Sequence, residues 1–297
     1  MMRGHSLEQD LKLLLNNPKY SDVEIICEDK KILYCSRAIL AARSEVFDGL
    51  LYNGMKESYE NQISFPTINS STMEIILEYI YTGSIREESL TEENIIETFN
   101  AADYFQLLNL QDFIVKTFKI TLEKSYAENY IPELLSKVVK TTPSAENNVL
   151  LNLLVDALAT IPLNSIEFGR LSITALQYLL SCTYEKEKSF ATPEYEVFRY
   201  SAILAAKQVS DDAYETFMEQ LPTLDQLRNP IKVDNNFLID QQSVAEELEP
   251  LIKFIDFRRI KGQILATIVE PLKIIPDDVI MDVYRHKKRK LFTGIII

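Results

Sequence analysis

Tryptophan is absent from this 297-residue chain, histidine occurs twice, cysteine three times and glycine only seven times. Each scarcity excludes something. Seven glycines with eleven prolines are too few for a sandwich, a propeller or another turn-rich β fold. The two histidines, His5 and His286, stand near opposite termini, so a His-dependent triad or a multi-His metal site would have to be assembled across both ends of the chain. Cys27, Cys35 and Cys182 are an odd, sparse set without CxxC spacing, which points to a reducing compartment rather than secretion. The N-terminal "MMRGHSLEQDLK" lacks the apolar stretch of a signal peptide, and no window approaches a membrane span. The expectation is an intracellular protein, in cytoplasm, nucleus or both, with no membrane association. Basic residues are also short: 31 Lys and Arg face 44 Asp and Glu, a net charge of −13, which disfavours nucleic acid as a main partner.

What is present suits a soluble chain of two ordinary domains, with 46% hydrophobic and 25% charged residues. Leu7, Leu11, Leu14 and Leu15 recur at helical spacing, which predicts an amphipathic helix over about 6–16 before "NNPKYSD" breaks it. That leucine stripe packs either on its own domain or on a second copy. "VEIIC" and "ILYC" flank the polar "EDKK", so Val23–Cys27 and Ile32–Cys35 read as a β-hairpin, with Cys27 and Cys35 facing each other in a small core. Cys182 is expected to be buried. Two short helices follow, Arg37–Ala42 and Glu45–Leu51, the second capped by Ser44. "NQISFP" is a short strand, Ser71 opens a helix that stops at Gly83, and Thr91 caps the next, with Glu92 and Glu93 complementing its first turn. "LLNLQDFIVKTFKITLEK" continues the helical pattern.

After about residue 120 strand signals largely disappear. "KTTPSAENN" reads as a loop, and helical patterns follow at about 146–160, 171–181, 194–207, 211–220, 243–256, 261–270 and 276–288. Thr192–Pro193 is a helix start, with Thr as the cap and Pro in the first turn. Leu221–Gln242 holds two prolines and no sustained period, so it is an insertion or a long loop. No fixed-period repeat is present.

Catalytic signals are poor. "GLLYNGMK" has the glycine spacing of a P-loop in Gly49 and Gly54, but Met55 stands where lysine must be, and the stretch lies at a helix end. No cofactor or metal site is expected, and an unrecognised enzyme is the least favoured reading. The tail "RHKKRK" places Arg285, Lys287, Lys288, Arg289 and Lys290 together. It reads either as a nuclear localisation signal or as cations complementing the C-terminal end of the last helix.

The segment "YSDVEIICEDKKILYCSRAILAARSEVFDGLLYNGMKES" resembles the opening hairpin and helix pair of the BTB/POZ domain. "ILEYIYTGSI" is similar to that family's next helix and turn, and "FNAADYFQLLNLQDFI" to its closing helices. One departure is Ser36, where the family usually has His, and a small packing change is expected from it. "FGRLSITALQYLLS", "TPEYEVFRYSAIL" and "ELEPLIKFIDFRRIKGQILATIVEPLKIIPDDVIMDVYR" resemble the BACK domain, although this chain has no Trp where that family commonly places one in its middle helix. The resemblance implies an α+β BTB/POZ domain over 1–120, core about 20–118, with a β-hairpin and a short strand packed with helices. An all-α BACK-like domain over 121–290 and a short tail, 291–297, would follow.

The resemblance further implies a homodimer, with Leu7, Leu11 and Leu14 supplying an apolar face and Asp22 and Arg37 a charged pair near the two-fold axis. Met55–Lys56–Glu57 matches the family's cullin-contacting pattern of an apolar residue, any residue, then Glu. The expected function is that of a non-catalytic adaptor presenting cullin-3, a ubiquitin-ligase scaffold, to an unknown protein substrate. The alternative is a self-associating scaffold, transcriptional or cytoskeletal, without cullin. Kelch repeats, a preceding MATH domain and a zinc finger are not expected. The substrate would bind through the BACK helices, the 221–242 loop or a region beyond this chain, since "FTGIII" leaves a longer natural protein open.

Overall fold

A computed structural model describes residue 4 and residues 6–54, 56–91, 93–124, 130–141, 148–184, 190–228 and 241–293. They fall into two compact units, Met1–Lys124 and Ser125–Ile297.

The first unit begins with α1 (Leu7–Lys12), shorter than the expected 6–16 helix. Asn16 takes a left-handed φ of 51° and Pro18 opens a 3-10 turn, so the helical ladder stops early. β1 (Val23–Ile26) and β2 (Ile32–Cys35) form the hairpin, and β3 (Gln62–Ser64) joins β1 in parallel, giving the order β2-β1-β3. Val23, Ile25, Cys27, Leu33 and Cys35 all turn inward and are buried, as a period of two requires. The register corrects one expectation. Val23 lies opposite Cys35, and the Cys27 N–H donates to the Lys31 carbonyl, so the two thiols share a face but sit at opposite ends of the hairpin. Cys27 borders the turn while Cys35 is four residues beyond Lys31, and antiparallel pairing matches residues equidistant from the turn. Burial pushes the Cys27 thiol up to about 11 and the Cys35 thiol up to about 12.

Next come α2 (Arg37–Arg43), α3 (Glu45–Tyr52), α4 (Lys56–Tyr59), α5 (Ser70–Thr82), α6 (Ile95–Tyr104) and α7 (Leu108–Lys124). Ser44 caps α3 as expected: its Oγ accepts from the Phe47 N–H and donates to the Phe105 carbonyl at 2.9 Å. Phe105 in turn stacks on Phe47, ring centroids 4.5 Å apart, with Phe65 edge-on to both. α5 starts one residue before Ser71, because Asn69 is its cap and accepts from Thr72 N–H at 2.9 Å; Gly83, at φ 78°, ends it. Thr91 does not cap α6. Its N–H donates to the Asn94 side chain and the helix proper begins at Ile95; Glu92 lies outside the described residues. At Ser36, the position of the family's His, the backbone N–H donates to the Tyr81 hydroxyl at 2.7 Å.

The second unit is built from α8 (Tyr130–Thr141), α9 (Val149–Leu158), α10 (Ile173–Tyr184), α11 (Glu194–Val209), α12 (Asp211–Gln220), α13 (Gln241–Ile252), α14 (Gly262–Ile264) and α15 (Asp277–Thr293). α8 was not among the expected helices. Ile131, Leu134, Leu135 and Val138 carry its buried stripe, and Pro132 is tolerated because first-turn N–H groups have no helical partner.

α13 ends at Ile252 rather than near 256, since Pro250 removes a ladder bond. The expected 261–270 helix is irregular. α14 passes into a π turn at Leu265–Val269 and a 3-10 turn at Glu270–Leu272, where Pro271 cannot continue the α ladder. Thr192 does not cap α11: its hydroxyl accepts from the Leu163 N–H at 2.9 Å, and Pro193 occupies the cap position. Cys182 is half-buried, not buried. Of the 221–242 stretch, residues 221–228 and the first turn of α13 are described and 229–240 lie outside the described residues.

Candidate protein-interaction site

The stretch Met55–Lys56–Glu57 falls where α3 gives way to α4. α3 ends at Tyr52, and Gly54 turns the chain with a left-handed φ of 72°, a conformation that favours glycine. Met55, and the side chains of Lys56 and Glu57, lie outside the described residues; the backbone of Lys56 opens the single turn of α4. That turn is tied by polar contacts. Ser58 Oγ donates to the Leu50 carbonyl at 3.3 Å. The Arg37 guanidinium donates to the Ser58 carbonyl at 3.1 Å and also to the Glu60 carbonyl. The Glu24 N–H donates to the Asn61 carbonyl at 2.8 Å.

Aromatic side chains lie exposed at the ends of three helices. Tyr52 ends α3, Tyr59 ends α4 and is 82% exposed, and Tyr104 ends α6 with its ring edge-on to Phe65. Leu108 is exposed too, because Gln106 takes a left-handed φ of 55° and resets the helical phase, so that Leu107 and Leu110 turn inward instead. Sequence reasoning singled out none of these four. The available signal was the outward phase of Tyr104 relative to Ala101, Ala102 and Phe105; the rotation at Gln106 left no mark in the sequence.

The residues expected at a dimer interface are dispersed over two features. Leu7 is 76% exposed, while Leu11 and Leu14 are half-buried where α1 lies on α5 of the same chain. Lys12 pairs with Glu78 at 2.7 Å, and Ser84 Oγ donates to Glu8 at 3.1 Å, fixing α1 there. Beside it, Leu15, Leu33, Ile75, Arg86 and Asn94 help line a half-open cavity of about 450 Å³. Asp22 and Arg37 do meet, but through the Arg37 backbone: its N–H donates to Asp22 Oδ1 at 2.7 Å. The carboxylate thus serves the start of α2, and the guanidinium goes to the carbonyls after α4.

The basic cluster lies on the last helix. Lys287 donates to the Ile260 carbonyl, Arg285 and Lys288 are exposed, and the side chains of Arg289 and Lys290 lie outside the described residues. Asp282, one turn earlier, pairs with Arg258 at 2.6 Å, which holds its carboxyl below the usual range. Among the described residues, no three His, Cys, Asp or Glu side chains gather as metal ligands, and no helix is long and apolar enough to cross a membrane.

Comparison with known proteins assigns the first unit. Residues 11–121 match the model of the BTB/POZ domain. The chain is similar to BTB/POZ domain-containing protein 9 of Drosophila melanogaster, 35% identical over 108 residues, which is 36% of this chain and 15% of that protein. It is similar to human Kelch-like protein 6 over a longer stretch, 28% identical over 192 residues, 65% of this chain and 29% of that protein. The BTB domain of human gigaxonin aligns over 39% of this chain and 96% of its own, at 24% identity and a TM-score of 0.30. The chain therefore carries a BTB/POZ domain, a protein-interaction module, followed by a helical region. The matches span only 15% to 29% of the length of these curated relatives.

Proposed function

We propose that this protein is a non-catalytic adaptor of two domains, a BTB domain over 1–120 and a BACK-like helical domain over 121–290. The BTB domain self-associates and recruits cullin-3, and the helical domain holds a protein substrate, so chemistry takes place in bound partners. The observation that carries this reading is the BTB/POZ match at residues 11–121, supported by relatives that include Kelch-like and Kelch repeat and BTB domain-containing proteins. Within that domain, Met55–Lys56–Glu57 is assigned the cullin contact. Met supplies a pliable apolar anchor and Glu an acceptor for charge-assisted hydrogen bonds. The exposed Tyr52 and Tyr59, at the ends of the two helices that flank it, give the neighbourhood the aromatic character of an interaction surface. Leu7, with Asp22 and Arg37, is assigned to the self-association face. Leu11 and Leu14 support it from beneath, since α1 already rests on α5. The adaptor would work inside the cell, in cytoplasm, nucleus or both.

The test is capture of cullin-3 by the full chain and by the Met55→Ala/Glu57→Ala double variant. Wild type retains cullin-3, and the double variant loses it by about tenfold or more, as removal of a central anchor does. The same wild-type preparation has about twice the 34.2 kDa chain mass in light scattering. A folded wild-type dimer that captures no cullin-3 eliminates the adaptor reading and leaves the self-associating scaffold.

A further inference from the structure

Among the described residues of the α4 turn, no apolar side chain is buried. The turn is four residues long, Ser58 is half-buried, and Tyr59 and Glu60 are exposed. A single helical turn is unstable by itself, and no buried side chain among its described residues ties it to the core. Its position is set by polar contacts, and the strongest is cationic. The Arg37 guanidinium donates to the carbonyls of Ser58 and Glu60, at the C-terminal end of the turn, where backbone acceptors lack helical partners and a positive charge is favoured. Arg37 is itself fixed, its backbone N–H held by Asp22 Oδ1 at 2.7 Å. The neighbouring Asn61 carbonyl is taken by the Glu24 N–H, so the link from α4 to β3 is pinned to the hairpin as well.

We propose that Arg37 is a positioning residue for partner binding: it holds α4 in place through the Ser58 and Glu60 carbonyls and so presents the segment ahead of it to a partner. Asp22 and Arg37 thereby join the start of α2 to the recruiting turn. The positional part stands on the contacts alone, and the binding part rests on the adaptor reading above.

The experiment uses the full chain with Arg37→Met, which keeps the stem and removes the donors, and Arg37→Lys, which keeps the charge but cannot bridge two carbonyls with one planar fork. Backbone hydrogen exchange is followed by peptide, alongside chain mass and capture of cullin-3. In R37M, exchange across residues 56–61 speeds up by about tenfold, the size expected for losing charge-assisted bonds, while peptides from α5 and α7 keep wild-type rates. Cullin-3 capture, compared with wild type at a concentration where both proteins have the dimer mass, falls by a similar factor, and R37K recovers part of both. Unchanged exchange at 56–61, equal acceleration throughout the first unit, or faster exchange with undiminished capture each overturns the proposal. If R37M does not fold, R37K decides on the same readouts. If wild type itself captures no cullin-3, the adaptor reading fails, and the exchange pattern still decides what Arg37 holds.

Discussion

The two units use polar side chains in different ways. In the first, Arg37 reaches to the carbonyls of Ser58 and Glu60, and Ser58, in the α4 turn, donates to the Leu50 carbonyl of α3. In the second, the polar groups lie inside. Residues 195–206 of α11 are all buried, and among them Glu196 is 3% exposed and Arg199 6%. A helix buried on every side must satisfy such groups internally. Tyr195 Oη donates to the Pro222 carbonyl at 2.7 Å, Arg199 Nε to the Leu221 carbonyl at 2.6 Å, and Glu196 Oε1 accepts from the Leu224 N–H at 2.6 Å. These three contacts, two of them buried and one partly so, hold the irregular backbone just after α12. The Arg37 and Ser58 contacts hold one short turn, whereas those of Tyr195, Glu196 and Arg199 tie a buried helix to the backbone that follows α12. Loss of the first kind loosens one turn; loss of the second kind is felt globally.

The largest expected effect follows from that contrast. Arg199→Met leaves the Leu221 carbonyl unsatisfied and removes the cation one turn along the helix from the buried Glu196 carboxylate, whose Oε2 has no hydrogen-bond partner among the described residues. Breaking a buried polar set by removing one member costs about 3 kcal/mol. Hydrogen exchange should accelerate throughout α10, α11 and α13 together. Acceleration confined to residues 221–228 would break the comparison, because the clamp would then be as local as the one on α4.

How much of this was legible in the sequence depends on what kind of partner each residue has. The hairpin, the Ser44 cap and the Gly83 stop could be read because hydrophobic alternation, a capping hydroxyl and a positive-φ glycine are local rules. The Cys27–Cys35 register could also have been read, by counting outward from the turn, and was missed. α8 went unseen because Pro132 looks like a breaker, although its stripe at 131, 134, 135 and 138 has helical period. The role of the Arg37 side chain could not be read at all. Its acceptors are main-chain carbonyls some twenty residues away, and every residue has a carbonyl. The same holds for Arg199 and Tyr195, while the 55–57 stretch could be placed only by resemblance.

A middle-sized effect probes the comparison from the other side, with a buried polar group in the first unit. Ser44 is nearly enclosed, accepts from Phe47 N–H and donates to the Phe105 carbonyl. Ser44→Ala removes a cap and strands a buried acceptor at once, at a cost of about 1–2 kcal/mol. Exchange should rise across α3 and α6 but not in the second unit. A cost equal to that of Arg199→Met would mean that burial, not the choice of unit, decides which contacts matter globally.

The smallest effect is a pH dependence at the edge of the buried set. Glu194, at the start of α11, is partly buried, and burial raises its carboxyl above the ordinary 4.5; the Asp256 N–H at 3.1 Å opposes that rise, the Asp256 charge adds to it, and Arg259 opposes it. A carboxyl raised in the folded state favours folding while protonated, and that contribution is lost as pH climbs from the unfolded value through the folded one. Glu194→Gln cannot ionise, so its stability relative to wild type should match at about pH 4, grow as pH rises through the Glu194 titration, and then level off. Urea midpoints for the two proteins, compared at several pH values, measure that difference with all other titrations cancelled. A difference that stays flat from acid to neutral pH would show Glu194 to be as well solvated as the contacts around α4, and the boundary between the two kinds of polar group would then fall inside α11, between Glu194 and Tyr195.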